Sequence, residues 1–192
     1  MNDRNKAGAV IFGPARYVTK YLPIGCRTPS PEEIIAHRTA RDLKIPTAAA
    51  IQVAAPQMAA LIDGPCWLVP VPASNGSLTA NLAHARAIAE LVLGARVRCA
   101  IGRSHPVESS ASRRIRGLFG LTVEEHAIIR TVGPMELLPL YFVDNVITTG
   151  TTIAACRRAL GWGVGLVFAD ASACSHLPRF GMRFDRHPAL AR

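Results

Sequence analysis

The stretch that most constrains the fold is 140–160, LYFVDNVITTGTTIAACRRAL. Leu140 to Val143 is an apolar run short enough to be one buried strand. Asp144 to Thr152 is polar and contains Gly150, and Ile153 to Leu160 has helical composition. A strand that turns through such a loop into a helix puts Thr149, Gly150, Thr151 and Thr152 at a helix N-terminus. Unpaired backbone N–H groups and the positive end of the helix dipole gather there, which suits a phosphate. Gly150 lets the backbone curl close to an anion, the threonine hydroxyls add donors, and Asp144 adds a carboxylate facing the same crevice. An ordinary strand–turn–helix with a threonine-rich turn has the same outline.

The pattern repeats upstream. Cys66 to Val71 is a short apolar strand, Pro72 to Ser77 a small polar loop, and residues 79–93 a helix with Leu82, Ala85, Ile88, Ala89 and Val92 on one face. The loop, with Ala73 and Ser74, reads equally as a second anion cradle and as a plain surface turn. Val97 to Ile101 reads as a further strand, and Gly161 to Phe168 as the last clear one. Before them, Ser30-Pro31-Glu32-Glu33 is a helix start, with an N-cap serine, proline at the first position and acids at the positive dipole end. A second helix follows Pro46 and Thr47. Strands alternating with helices predict an α/β fold built on a parallel sheet with helices on both faces. The chain has 192 residues and fits one domain, with an irregular or edge segment over 1–30 and an irregular tail over 173–192.

Composition narrows the ligand class. Hydrophobic residues make up 49% of the chain and charged residues 18%, which is a folding composition rather than a disordered one. The net charge of +9 favours anionic ligands, whether phosphorylated metabolites or nucleic acid, although no dense aromatic-plus-basic cluster accompanies it. The five cysteines form no C-x-x-C pair, so neither a zinc site nor a disulfide framework is indicated. Cys66 and Cys99 read as buried small hydrophobes, and His126 as a surface residue. The opening MNDRNKAGAV lacks a signal-peptide core and no apolar run reaches membrane-spanning length, so a cytoplasmic setting without a membrane is expected.

The 140–152 segment resembles the signature of type I phosphoribosyltransferases that binds 5-phosphoribosyl-1-pyrophosphate (PRPP): a hydrophobic strand, two acidic positions, two apolar residues and T-T-G-T-T. Val69-Pro70-Val71-Pro72 and the segment Ser112 to Phe119 are similar to the ComF-type branch of that family. The resemblance spans roughly residues 40 to 172 and implies a type I phosphoribosyltransferase-like fold. It implies that Asp144 contacts the ribose hydroxyls and a Mg2+ ion, with Asn145 in the second acidic position. Thr148, Thr149, Gly150, Thr151 and Thr152 would then wrap the 5-phosphate. Ala73 and Ser74 would lie at the pyrophosphate, and 102–118 would be a hood carrying Arg113, Arg114 and Arg116. Asp144, Arg113 and Arg114 are the catalytic candidates. The implied reaction is transfer of the 5-phosphoribosyl group to a nitrogen acceptor with release of pyrophosphate. The other reading is a non-catalytic PRPP- or nucleotide-binding protein, or a DNA-uptake-associated one. A homodimer is open, and nucleic acid is a partner that charge alone does not establish.

Overall fold

The computed structural model describes residues 11–16, 21–23, 29–109, 112–113, 116–171 and 184–186. Strands β1 (Ile11–Phe12), β2 (Ala15–Arg16) and β3 (Tyr21–Pro23) precede helices α1 (Pro31–Asp42) and α2 (Ala48–Ala59). Then come β4 (Cys66–Pro70), α3 (Thr79–Leu91), β5 (Ala95–Val97), β6 (Ile101–Arg103) and β7 (Ile128–Arg130). The final elements are β8 (Leu140–Ile147), α4 (Thr151–Leu160), β9 (Val164–Asp170) and β10 (Phe184–Arg186).

The main sheet has the order β1-β9-β8-β4-β5, with β2 continuing along β9. Every pairing in it is parallel. The predicted α/β fold with helices on both faces is therefore the one the chain adopts, an architecture consistent with a Rossmann-like or type I phosphoribosyltransferase-like fold. β4 is buried at all five positions, as its unbroken CWLVP run requires of a strand with a neighbour on each side and a layer on each face.

Local chemistry places the helices as their sequences specify. The Ser30 side chain accepts from the Glu33 N–H while the Glu33 carboxylate accepts from the Ser30 N–H, a reciprocal cap ahead of Pro31. Thr47 caps α2 through the Ala50 N–H at 3.3 Å. Leu43, Ala54, Ala55 and Met58 from this pair join Ala85 and Ile88 of α3 against Leu68, Val143, Leu166 and Phe168 of the sheet. On the opposite face, Ile153, Cys156 and Leu160 of α4 cover Val69, Phe142 and Val167.

Five readings of the sequence need correction. The Val97–Ile101 strand is two elements: β5 ends at Val97 and the chain turns through Arg98–Ala100. β6 then leaves the sheet to pair antiparallel with β7. That turn exposes Cys99, while Cys66 is buried as expected. The strand that opens the signature runs on to Ile147, because β9 pairs with it as far as Ile147–Asp170. Within the tail read as irregular, Phe184–Arg186 forms an antiparallel ribbon with Tyr21–Pro23. His126 is buried rather than on the surface, at 3% exposure.

Candidate functional site

The chain leaves β4 through α3 toward β5, and leaves β8 through α4 toward β9. Neighbouring strands β4 and β8 thus send their connections in opposite directions, and α3 and α4 fall on opposite faces. Between their carboxyl ends lies the switch point of the sheet, where open α/β folds form a crevice. The loops after the two strands, 71–78 and 148–150, flank it.

Asp144 lies at this crevice on β8. Its Oδ1 accepts from the Asn145 N–H at 2.8 Å and from Asn81 Nδ2 at 3.2 Å. Asn81 comes from α3 and also donates to the Val71 carbonyl at 2.7 Å, so one amide ties α3, β4 and β8 together across the crevice. Burial pushes the Asp144 carboxyl above the usual carboxylate range, against the opposing pull of the Asn145 N–H, the Asn81 amide, Lys44 and Arg103. Such a group gains from a cation brought to it. Among the described residues no three His, Cys, Asp or Glu side chains cluster as a metal cage. One carboxylate suits Mg2+ that arrives already bound to ligand phosphates.

Asn145 points elsewhere: its Nδ2 donates to the Ala40 carbonyl of α1 at 3.1 Å. The strand alternation that aims Asp144 at the crevice turns the next side chain toward α1.

Gly150 is the N-cap of α4, with φ 82° and ψ −2°, a left-handed conformation that glycine adopts without strain. No side chain caps this helix among the described residues. The first-turn N–H groups have no carbonyl one turn back, so the loop is an open donor surface. Thr149 Oγ1 is 3.0 Å from Thr151 Oγ1, while Thr148 and Thr152 are partly exposed beside them.

The loop after β4 is organised differently. The Ala73 N–H bonds the Ser77 carbonyl at 2.8 Å and the Gly76 N–H bonds the Ala73 carbonyl at 2.9 Å. Asn75 Oδ1 accepts from the Ser77 N–H, and Ser77 Oγ from the Thr79 N–H. The Ser74 carbonyl accepts from the Val107 N–H at 2.8 Å, fastening this loop to the segment that follows β6.

Sequence reasoning missed two residues. Arg103, at the end of β6, donates through Nε to the Ala73 carbonyl at 2.8 Å and through Nη2 to the Pro72 carbonyl at 3.2 Å. Its Nη1 donates to the His126 carbonyl. One guanidinium therefore holds the β4 loop and the turn before β7 together. His126 Nε2 is 3.1 Å from Thr151 Oγ1. Neither has a local signal, since each depends on the pairing of β6 with β7 across 24 intervening residues.

Of the three arginines read as a hood, the two described ones have local partners rather than contacts to the threonine loop. Arg113 Nε donates to the Phe119 carbonyl at 2.7 Å, and Arg116 pairs with Glu108. Arg114 lies outside the described residues, as do the tail positions His176, Arg179, Arg183 and His187. Burial pushes the Cys66 thiol up to about 11 and holds Cys156 higher still, so neither is an activated nucleophile.

Neither a family model nor a curated protein sequence matches the chain. Among the described residues no helix is long and apolar enough to cross a membrane.

Proposed function

We propose that the chain binds Mg2+–PRPP and transfers its 5-phosphoribosyl group to a nitrogen acceptor, releasing pyrophosphate. One observation carries this reading: a partly buried carboxylate, Asp144, stands just ahead of an uncapped helix start whose N-cap is a left-handed glycine. This pairs a donor cradle for a phosphate with an acceptor for ribose hydroxyls at one switch point.

In this reading Thr148, Thr149, Gly150, Thr151 and Thr152 hold the 5-phosphate. Asp144 accepts from the ribose hydroxyls and faces Mg2+, which supplies charge neutralisation for the departing pyrophosphate. Ala73 and Ser74 border the pyrophosphate. Arg113 and Arg116 exchange their local partners for it, and with Arg114 add bidentate donors where negative charge develops. The anomeric carbon loses pyrophosphate and gains the acceptor nitrogen, so no covalent nucleophile from the protein is required. Catalysis rests on positioning and on leaving-group stabilisation.

A binding-only reading draws support from Asn145, whose amide is committed to Ala40 and which leaves a single carboxylate at the end of β8. Calorimetric titration of PRPP with and without Mg2+, on the wild type and on Asp144→Ala, tests the site itself. Micromolar, Mg2+-dependent binding that collapses in the variant is expected. Absence of binding to the wild type refutes a PRPP site. Pyrophosphate release in a screen of nitrogen heterocycles then separates transfer from binding alone.

A further inference from the structure

A buried imidazole, His126, lies beneath the threonine loop. We infer that His126 is the positioning residue of that loop: it donates its Nε2–H to Thr151 Oγ1, so the Thr151 hydroxyl keeps its own proton for an anionic ligand. This rests on the reading of 148–152 as a phosphate cradle and adds what aims its hydroxyls.

The turn that carries His126 is built to hold it inward. Thr122 and Glu125 cap each other: the Thr122 N–H donates to the Glu125 carboxylate at 2.7 Å and the Glu125 N–H to Thr122 Oγ1 at 3.3 Å. Ala127 follows at φ 53°, a left-handed backbone that a residue with a Cβ adopts at a cost. Its carbonyl accepts from the Ser104 N–H at 2.9 Å, and the His126 carbonyl accepts from Arg103. Two strands and an arginine therefore hold a strained turn whose result is an imidazole directed at Thr151.

The proton's position follows from the ring's two nitrogens. Burial, with the Arg103 charge adding to it against Glu125, lowers the His126 pKa to about 4, so the ring is neutral at pH 7 and carries one proton. Among the described residues Nδ1 is buried without a hydrogen-bond partner. A proton there would bury an orphaned N–H, which folded proteins avoid more strictly than an unfilled acceptor. With the proton on Nε2, the 3.1 Å contact is a donation to Thr151. Thr151 then directs its O–H outward, either to Thr149 Oγ1 at 3.0 Å or to a bound phosphate oxygen. The other tautomer would take the Thr151 proton and present a lone pair to the anion.

The test combines imidazole tautomer measurement with anion binding on the full chain. Long-range 1H–15N correlation of histidine-labelled protein, with the His126 signals assigned by their loss in His126→Gln, should show a neutral ring protonated at Nε2. Calorimetry with inorganic phosphate and with Mg2+–PRPP should show His126→Leu weaker than wild type by about tenfold, the worth of one directed hydrogen bond. His126→Gln, whose amide donates in the same direction, should recover to within about threefold. A ring protonated at Nδ1 overturns the inference whatever the ligand. So does a His126→Leu protein that binds both probes as tightly as wild type, in which case the PRPP reading survives alone. A wild type that takes up neither probe sinks both. Should His126→Leu not fold, the wild-type tautomer and the His126→Gln affinity decide.

Discussion

Two loops at the same end of one sheet follow the same plan of strand, polar turn and helix, and they have opposite hydrogen-bond economies. The turn after β4 spends its donors on itself, through Asn75, Ser77 and the Ala73–Ser77 and Gly76–Ala73 bonds. The turn after β8 begins a helix at a left-handed glycine, and among the described residues the hydrogen bonds of its hydroxyls are to each other and to His126. Neither α3 nor α4 has a side-chain cap, so what separates the two turns is the bonding within them. A turn bonded to itself is finished without a ligand, whereas open donors at a helix start suit an anion. On the proposed reading this difference separates scaffold from receptor more sharply than loop composition, which is small and polar in both.

The same contrast extends to the histidines beneath them. His84 on α3 is 1% exposed with both ring nitrogens unpartnered among the described residues, whereas His126 gives one nitrogen to Thr151. One is a polar group stranded in the packing of α3, and the other is wired to the open loop.

The largest expected effect is at Asp144. Asp144→Asn should weaken Mg2+–PRPP binding by about a hundredfold by calorimetry, since the proposed site loses the carboxylate assigned to metal and hydroxyls. The same substitution should raise the melting temperature at pH 7. A carboxyl whose folded pKa is raised contributes stability while protonated and loses it as pH rises through that pKa, so removing the charge helps at neutral pH and not in acid. A variant that loses affinity and stability together would count against this account. Next, Gly150→Val should cost about thirtyfold in phosphate affinity, because a branched residue resists a φ of 82° and the loop must shift to take it. Unchanged affinity there would mean that the anion is not held at the start of α4.

His84→Leu sharpens the comparison from the other side. Burial lowers the His84 pKa to about 4, below its ordinary value near 6.5. The unfolded chain therefore takes up the proton first, and wild-type stability falls by about 2 kcal/mol between pH 7 and pH 5 from this group alone. Urea denaturation at both pH values should show a flatter acid limb in the variant. An acid limb as steep as that of the wild type would assign the loss to other groups. The smallest effect belongs to the closed loop. Ser77→Ala should cost about 1 kcal/mol of stability through the lost bond from the Thr79 N–H to Ser77 Oγ, with phosphate affinity within about twofold of wild type. A larger loss of affinity would place the anion at the β4 loop and reverse the assignment of the two loops.

Much of the architecture was legible because its determinants are local. The Ser30–Glu33 cap, the Thr47 cap, the all-apolar β4 run and the strand–Gly–helix passage through Gly150 each lie within a few residues of what they control. What was not legible depends on distant partners. β6 could not be separated from β5 without knowing that β7 would claim it, and the burial of His126 and the three carbonyls of Arg103 follow from that pairing. Asn145 illustrates a finer limit. The strand period shows that it faces away from Asp144, yet only the placement of α1 supplies the Ala40 carbonyl that occupies its amide.

At one margin of the main sheet the strand beside β9 is delivered in two pieces of two residues each, β1 and β2, with Gly13-Pro14 between them. Gly13 passes close over Val167, where an added Cβ would come within 3.2 Å of its side chain, and Pro14 brings no N–H to the outer face. The opposite margin, β5, is only three residues long. Sheets with long, regular margins invite further strands, from another copy or from an aggregating chain. Among the described residues both borders are short or broken, which makes them poor templates, so the parallel sheet that builds the crevice does so with little edge for extension.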